Sequence, residues 1–591
     1  MTETLLAIGV GLLVYTLGVM ALAARGALPS WVSVSGPVVT LERRTVPAAL
    51  ERLAARRRLW RRLVDVGVVV AYGLLVLSLV LVLTAAVLAV TRDTASAVNQ
   101  PHNVVAVPGV NDFLPLAAAP EIVFGLFVGV AVHEVGHALL GRVEGVDVAS
   151  MGMIFLTLLP FGAYVDMDGN ERETSTASQH RIYAAGVSSN LVLAVACTLL
   201  LVALAATSIA VVPGLAVGGV LPGTPADEAS LERGDVLTAV DGTPIEDADD
   251  VRAAVADGDG PVTVELADGE SVSLEPSVVV TGAPDGGPNA FAVGSRIDAV
   301  DGTPVRTTPA FRAALENASA PAVPVTLRDA DGRERSETLV GGAAVAEVVA
   351  DGPLARAGAP AGDPGVVTAI DGDRVYGHEG LFATLENATA GETVGVEFYT
   401  SGHLEEFRVS LGASPNGNGA YLGVVPQAGI GGLALSDLGV DPYPAAEHLA
   451  VVSGGGVPLT GTVLDRFLGV TVLPVAGSIG LFAENFGGFV GAVPNFYTVT
   501  GPLSVVGGLV LPAATVLFWT GWISLLVGVF NCLPVYPLDG GRLVRTAAEA
   551  IAARLSVPSP GRVATAGTAL LSGVVALAVV TTVFGPMLLG S

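Results

Sequence analysis

The chain of 591 residues contains no lysine; all 29 of its basic residues are arginine, set against 55 acidic ones. The resulting net charge of −26 lacks the basic footprint that nucleic-acid binding needs, so nucleic acid is excluded as a partner. Cysteine is nearly absent as well. Cys197 and Cys532 both fall in apolar stretches, which rules out a disulfide framework. Charged residues make up only 14% and hydrophobic ones 51%, with a mean hydropathy of +0.64. That is too apolar for an ordinary soluble protein and too long for one domain.

What charge there is sits unevenly. Residues 221–411 hold 34 of the acidic residues and 11 of the arginines, a balance of −23. An acidic, water-exposed part is therefore spliced into a membrane part. Abundant Asp, Glu, Ala, Gly and Val without lysine resembles haloarchaeal composition, where molar salt shortens the Debye length to ~3 Å and screens such self-repulsion.

Six stretches are apolar over the roughly 20 residues that a bilayer span needs: 4–24, 63–91, 121–141, 185–212, 505–531 and 564–589. The first lacks a basic leader and reads as a span rather than a cleaved signal. Arginine sets the orientation. It is dense in "LERLAARRRLWRRLVD", present in 142–184 and 540–563, and sparse in 92–120 and 413–504. Alternating six helices against these loops places both termini and the acidic region outside and the basic loops inside.

The acidic region repeats itself. "GDVLTAVDGTPI" at 234–245 returns as "GSRIDAVDGTPV" at 294–305 and more loosely as "PGVVTAIDGDRV" at 364–375. Each is strand, Asp-Gly turn and strand, followed by a helical stretch. The unit resembles a PDZ domain, a module that binds peptide C-termini by strand addition. Two such modules with a degenerate middle copy, or two modules sharing that copy, are expected in tandem. The expected architecture is a polytopic α-helical membrane protein of about six transmembrane helices with an extracytoplasmic α+β PDZ-like insert. Its parts are an N-terminal pair of helices with a basic loop (1–120), a first catalytic core (121–212) and the repeats (213–430). A Gly-rich interfacial segment (431–504) and a second core (505–591) follow.

Within the third span, "VAVHEVGHALL" carries three ionisable groups, each costly in lipid and therefore a functional candidate. On a helix, His133 and His137 lie one turn apart on one face and can reach one metal, while Glu134 beside them can take a proton from water. A catalytic zinc site needs a third protein ligand and an open position. Glu144 and Asp147 are nearest in sequence; Asp539, at the inner end of the fifth span, is the better candidate because both motifs fall at one depth. Cys532 reads as a small hydrophobe, and His102, His180, His378, His403 and His448 as surface histidines.

"HEVGH" together with "NCLPVYPLDGG" resembles the paired signature of the site-2 proteases, intramembrane zinc metalloproteases. The block from Leu158 to Ala194, "LLPFGAYVDMDGN…SQHRIYAAGVSSNLVLA", and a PDZ region between the catalytic spans are similar to that family too. The resemblance implies one Zn2+ held by His133, His137 and Asp539, with Glu134 as general base. It implies a substrate-binding role for Asn190, Gly162, Tyr164, Asn531 and Pro534, the last two also breaking the fifth span. The Gly-Ala-Tyr at 162–164 departs from the Gly-Gly-Tyr of some members. The implied function is regulated intramembrane proteolysis: cleavage of single-pass membrane proteins, in the bilayer, near the cytoplasmic face. A catalytically silent receptor or scaffold acting through the repeats is the alternative.

Overall fold

The computed structural model describes the chain except residues 1, 45–46, 92–100, 105–106, 168–173, 257–259, 285, 415–418, 458–461, 463 and 590–591. Arg92 and Arg172, in two of the segments compared for orientation (92–120 and 142–184), lie outside the described residues. Two compact units emerge. One comprises Met1–Ala210, Ala446–Gly491 and Val499–Ser591; the other comprises Val211–Ala445 and Ala492–Thr498.

The first unit is helical. Among the described residues, five helices are long and apolar enough to cross a membrane: Arg57–Thr91, Leu116–Glu144, Thr176–Ser208, Gly501–Asn531 and Pro560–Gly585. The sixth expected span, the helix Thr2–Ala24, qualifies only as the shorter apolar run Gly9–Ala24. Apolar side chains such as Val66, Val69, Leu199 and Leu570 stand exposed on these helices, as lipid-facing residues would.

Lipid offers helices no hydrophobic reason to associate, so close packing relies on small residues. The helix Ala119–Glu144, which carries both motif histidines, is built accordingly. A methyl group on Gly125 would meet the Thr520 backbone at 3.1 Å, and one on Gly136 would meet Ala185 O at 2.8 Å. Gly145 ends this helix in the left-handed conformation, φ 88°. Just inside that end, the buried Glu144 carboxylate accepts hydrogen bonds from Arg61 Nε at 2.9 Å and Ser178 Oγ at 2.7 Å.

The basic loop after the first helix is not irregular. It contributes strands β1 (Val32–Ser35) and β2 (Val38–Arg43), which join β3 (Val148–Leu156) and β4 (Leu159–Met167) in an antiparallel sheet of order β1-β2-β3-β4. Register pairs Thr40 with Ile154 and Gly152 with Tyr164. β4 is left as an edge.

The second unit holds three sheets of one design, not two modules and a remnant. Each has five strands in the same order, plus a short strand paired to its third. The first runs Ser271–Leu274, Val262–Leu266, Val236–Val240, Leu215–Val220 and Val440–Pro442. The middle sheet ends on Ala434–Ser436 and the third on Val424–Pro426. The middle copy is complete, with its own core around Ile297, Phe311 and Leu339.

Tandem order is likewise corrected. The third sheet closes first, with Val424–Pro426 against Ala343–Val348; the middle closes next, and the first closes last. The modules are therefore nested, each inserted before the final strand of the one preceding it. The expected boundary at 430/431 consequently falls inside the sheets. Beyond the closing strands, described residues of the stretch 446–491 pack on the helix Gly507–Asn531, where Trp519 Nε1 donates to Gly487 O and Trp522 Nε1 to Thr471 O. His448, expected at the surface, is fully buried in this region, its ring 5.3 Å from those of Phe482 and Phe486. Aromatic neighbours 30-odd residues downstream cannot be read from the polar letters around it.

Candidate metal centre

His133 and His137 sit in the second half of their helix, buried at 5% and 7% exposure. Asp539 arrives from elsewhere. The helix Gly507–Asn531 stops at Asn531, whose Nδ2 turns back to donate to Val527 O at 2.9 Å. The chain turns through the buried Pro534, and a new helix, Asp539–Arg554, begins on the aspartate itself. The two following glycines permit this turn: a Cβ on Gly540 would lie 2.3 Å from Cys532 O, and one on Gly541 2.6 Å from Val535 O. Cys532 is fully buried and belongs to no ligand cluster among the described residues.

Three ligand atoms converge. His133 Nε2, His137 Nε2 and Asp539 Oδ2 stand 3.1 Å apart in every pairing. Atoms coordinated at about 2.0–2.1 Å around a tetrahedral zinc ion lie about 3.3 Å from one another, so the donor set fits that metal. Two imidazoles and one carboxylate leave a fourth position open, the pattern of a catalytic rather than a structural site. Glu144 and Asp147 are committed elsewhere, to Arg61 and Arg142 respectively.

Partners behind the ligands orient them. His137 Nδ1 donates to Ile182 O at 2.8 Å, which leaves Nε2 with its lone pair toward the centre. His133 Nδ1 faces Asn190, which is 0% exposed, across 3.5 Å. Its Nδ2 faces that nitrogen, while Oδ1 has no hydrogen-bond partner. Turning the amide over would offer Oδ1 to the Nδ1–H of a metal-ligating His133 and satisfy both groups. Gly186, on the same helix as Asn190, brings bare backbone against both rings. Neither Ile182 nor Gly186 was identified from sequence; the Ala-Gly pair at 185–186 was the available signal.

Glu134 directly follows the first ligand on the same helix. It lines a cavity of about 500 Å³ between its own helix and the sheet, with Trp31, Arg43, Met151, Met153 and Tyr164 among the walls. Gly162 and Tyr164 both lie on the edge strand β4. Asn531 and Pro534 sit at the broken helix end instead, so the expected substrate-contact residues divide among three places: the β4 edge, the ligand seam and the turn before Asp539.

The profile of Peptidase family M50 matches residues 121–574, which spans both motifs and the nested sheets. A Clostridium perfringens protein named as a zinc metalloprotease is 31% identical over 171 residues, 24% of this chain and 49% of that protein. A Neisseria meningitidis protein of the same description is 24% identical over 463 residues, 72% of this chain and 90% of that one. A Brucella suis protein named as a DegP-like periplasmic serine endoprotease is 37% identical over 78 residues, 13% of this chain and 15% of that protein. The chain spans about half the length of the first of these relatives and most of the second.

Proposed function

Because the chain belongs to Peptidase family M50, the site-2 protease family, we propose that it is an intramembrane zinc endopeptidase that cleaves single-pass membrane proteins within the bilayer. The observation that carries this reading is the convergence of His133, His137 and Asp539 on one point inside apolar helices, with Glu134 opening onto a cavity beside them.

Zinc held by these three residues would supply a Lewis acid that polarises the scissile carbonyl and acidifies water. Glu134 takes the proton from the attacking water and delivers it to the leaving nitrogen. Ile182 O holds His137 in the tautomer that this requires, and Asn190, with its amide turned over, would do the same for His133. A transmembrane substrate has its amides paired within its own helix and must be unwound first. The free edge of β4, with Gly162 and Tyr164, offers replacement backbone partners by strand addition. Only an extended segment can make those bonds, so the edge selects for helices that unwind easily.

Sidedness follows from alternating the five spans. The arginine-rich segment before residue 57, the segment 145–175 and the segment 532–559 fall on one face, read as cytoplasmic by the arginine bias. Pairing of β2 with β3 supports this, since it joins two of those segments in one sheet. The nested modules then lie on the opposite, extracytoplasmic face. They are PDZ-like in this reading and meet peptide C-termini, either of intact ectodomains to be excluded or of ends left by an earlier cut.

The test compares the membrane proteome of the host carrying wild-type protein with that carrying Glu134→Gln. Accumulation of membrane-anchored stubs in the variant supports the protease and names its substrates. An unchanged proteome beside a clear deletion phenotype would favour a receptor or scaffold.

A further inference from the structure

On the same face as the Asp539 turn lies a second, polar chamber that the peptidase chemistry does not use. It encloses about 370 Å³ and is walled by Thr174, Thr176 and Tyr183 on one side and by Arg542, Arg545 and Thr546 on the other. Arg542 stacks over the Tyr183 ring at 5.7 Å. Neither arginine meets a carboxylate among the described residues, and Arg545 Nε is buried without a hydrogen-bond partner. The contrast with Arg61 and Arg181 is sharp, because both of those are paired with Glu144. Two guanidinium groups without a carboxylate partner among the described residues, in a half-enclosed chamber ringed by hydroxyls, make a receptor for a tetrahedral oxyanion, which can accept several such bonds at once.

We propose that this chamber binds the phosphate of an anionic phospholipid headgroup. Its setting argues for lipid. Arg542 and Arg545 belong to the helix Asp539–Arg554, which connects the spans Gly501–Asn531 and Pro560–Gly585. That helix exposes Ile551 and Leu555, at 56% and 72%, one turn apart, as a helix resting in the interface would. Basic chambers between spans on the arginine-rich face are where phospholipid headgroups bind. Glu549, exposed, is the one carboxylate lining the chamber among the described residues and weakens the field there. The proposal rests on the reading of these helices as membrane spans and not on proteolysis.

Binding is measured on the full chain in detergent by titration with phosphatidylglycerol, followed by native mass spectrometry, with inorganic phosphate as competitor. Saturable binding that weakens at least tenfold in the Arg542→Gln/Arg545→Gln variant is expected, as is tighter binding in Glu549→Gln. Millimolar inorganic phosphate should not displace the lipid. Equal affinity of wild type and double variant would overturn the site. Displacement by phosphate at matching concentration would overturn lipid as the occupant and leave the free anion. Should the double variant fail to fold, Glu549→Gln decides alone: no gain in affinity rejects the proposal.

Discussion

Gly186 holds its Cα so close to His137 that a single methyl group there would stand 2.5 Å from the Nε2 atom, and 2.6 Å from His133 Nε2. The space those nitrogens share is bounded by this glycine. Gly186→Ala should therefore fold, because alanine suits a helix interior better than glycine, yet lose bound metal. Metal content by mass spectrometry of the purified variant checks this; full zinc occupancy would show that the rings can shift.

Glu134→Gln separates binding from chemistry. The variant should keep its metal, since the side chain is no ligand, while cleavage falls by roughly 10²–10⁴ with the loss of a general base. Asp539→Ala removes the third ligand and should lose both. Retention of metal by Asp539→Ala would mean that another residue completes the set.

Asn190→Leu keeps the volume and removes the acceptor that His133 Nδ1–H would use. A drop of about 10–100-fold in metal affinity is expected for losing such a partner. Asn190→Asp, which still accepts, should be affected far less. Competition with a chelator reads this without any substrate. If Asn190→Leu binds metal normally but cleaves poorly, the residue serves the substrate instead.

Acid should loosen the segment around His448. Burial pushes this imidazole down from 6.5 to about 4, opposed by its hydrogen bond to the Glu484 carbonyl. Between those values the unfolded segment takes up a proton that the folded one refuses, so stability falls as pH drops through the window. The full effect is on the order of 3 kcal/mol. Hydrogen exchange in the helix Ala445–Val452 should accelerate from pH 7 to pH 4.5, after correction for intrinsic rates, more in wild type than in His448→Gln. Equal acceleration in both would exonerate the histidine.

The nesting of the modules makes the innermost one removable. Gln427 N–H donates to Ala344 O at 2.8 Å, so the chain enters and leaves the third sheet at neighbouring points. Replacing 345–426 with an Asn-Gly turn should leave the other two sheets folded. Deleting 434–442 should open both of them. Limited proteolysis distinguishes these outcomes, and loss of the remaining two sheets on excision would show that the modules are not separable.

Much of this was legible because spans and ligand motifs are local patterns. The histidine spacing is set by one helical turn, and Asp539 could be matched to it because apolar length and arginine bias fix depth independently of side-chain contacts. What escaped depends on distant partners. The closing strands at 424–426, 434–436 and 440–442 are three residues each, too short for alternation to register, and their sheets lie far upstream. β1 and β2 hid in a loop judged by its arginines, although "VSVS" and "VVTLER" carry strand-forming residues. Gly186 is noticeable only once the rings it touches are known.

The strand pairing also dictates an order of events on the ribosome. Val220 waits for Val440, its partner 220 residues downstream, while the third sheet lies wholly within 343–426. The last of the three modules to begin synthesis is thus the first able to finish, and the first to begin is the last. Until residues 434–442 emerge, two incomplete sheets present bare strand edges to the surroundings, a hazard for pairing with the wrong chain. The net charge of −23 over residues 221–411 keeps such half-built surfaces apart.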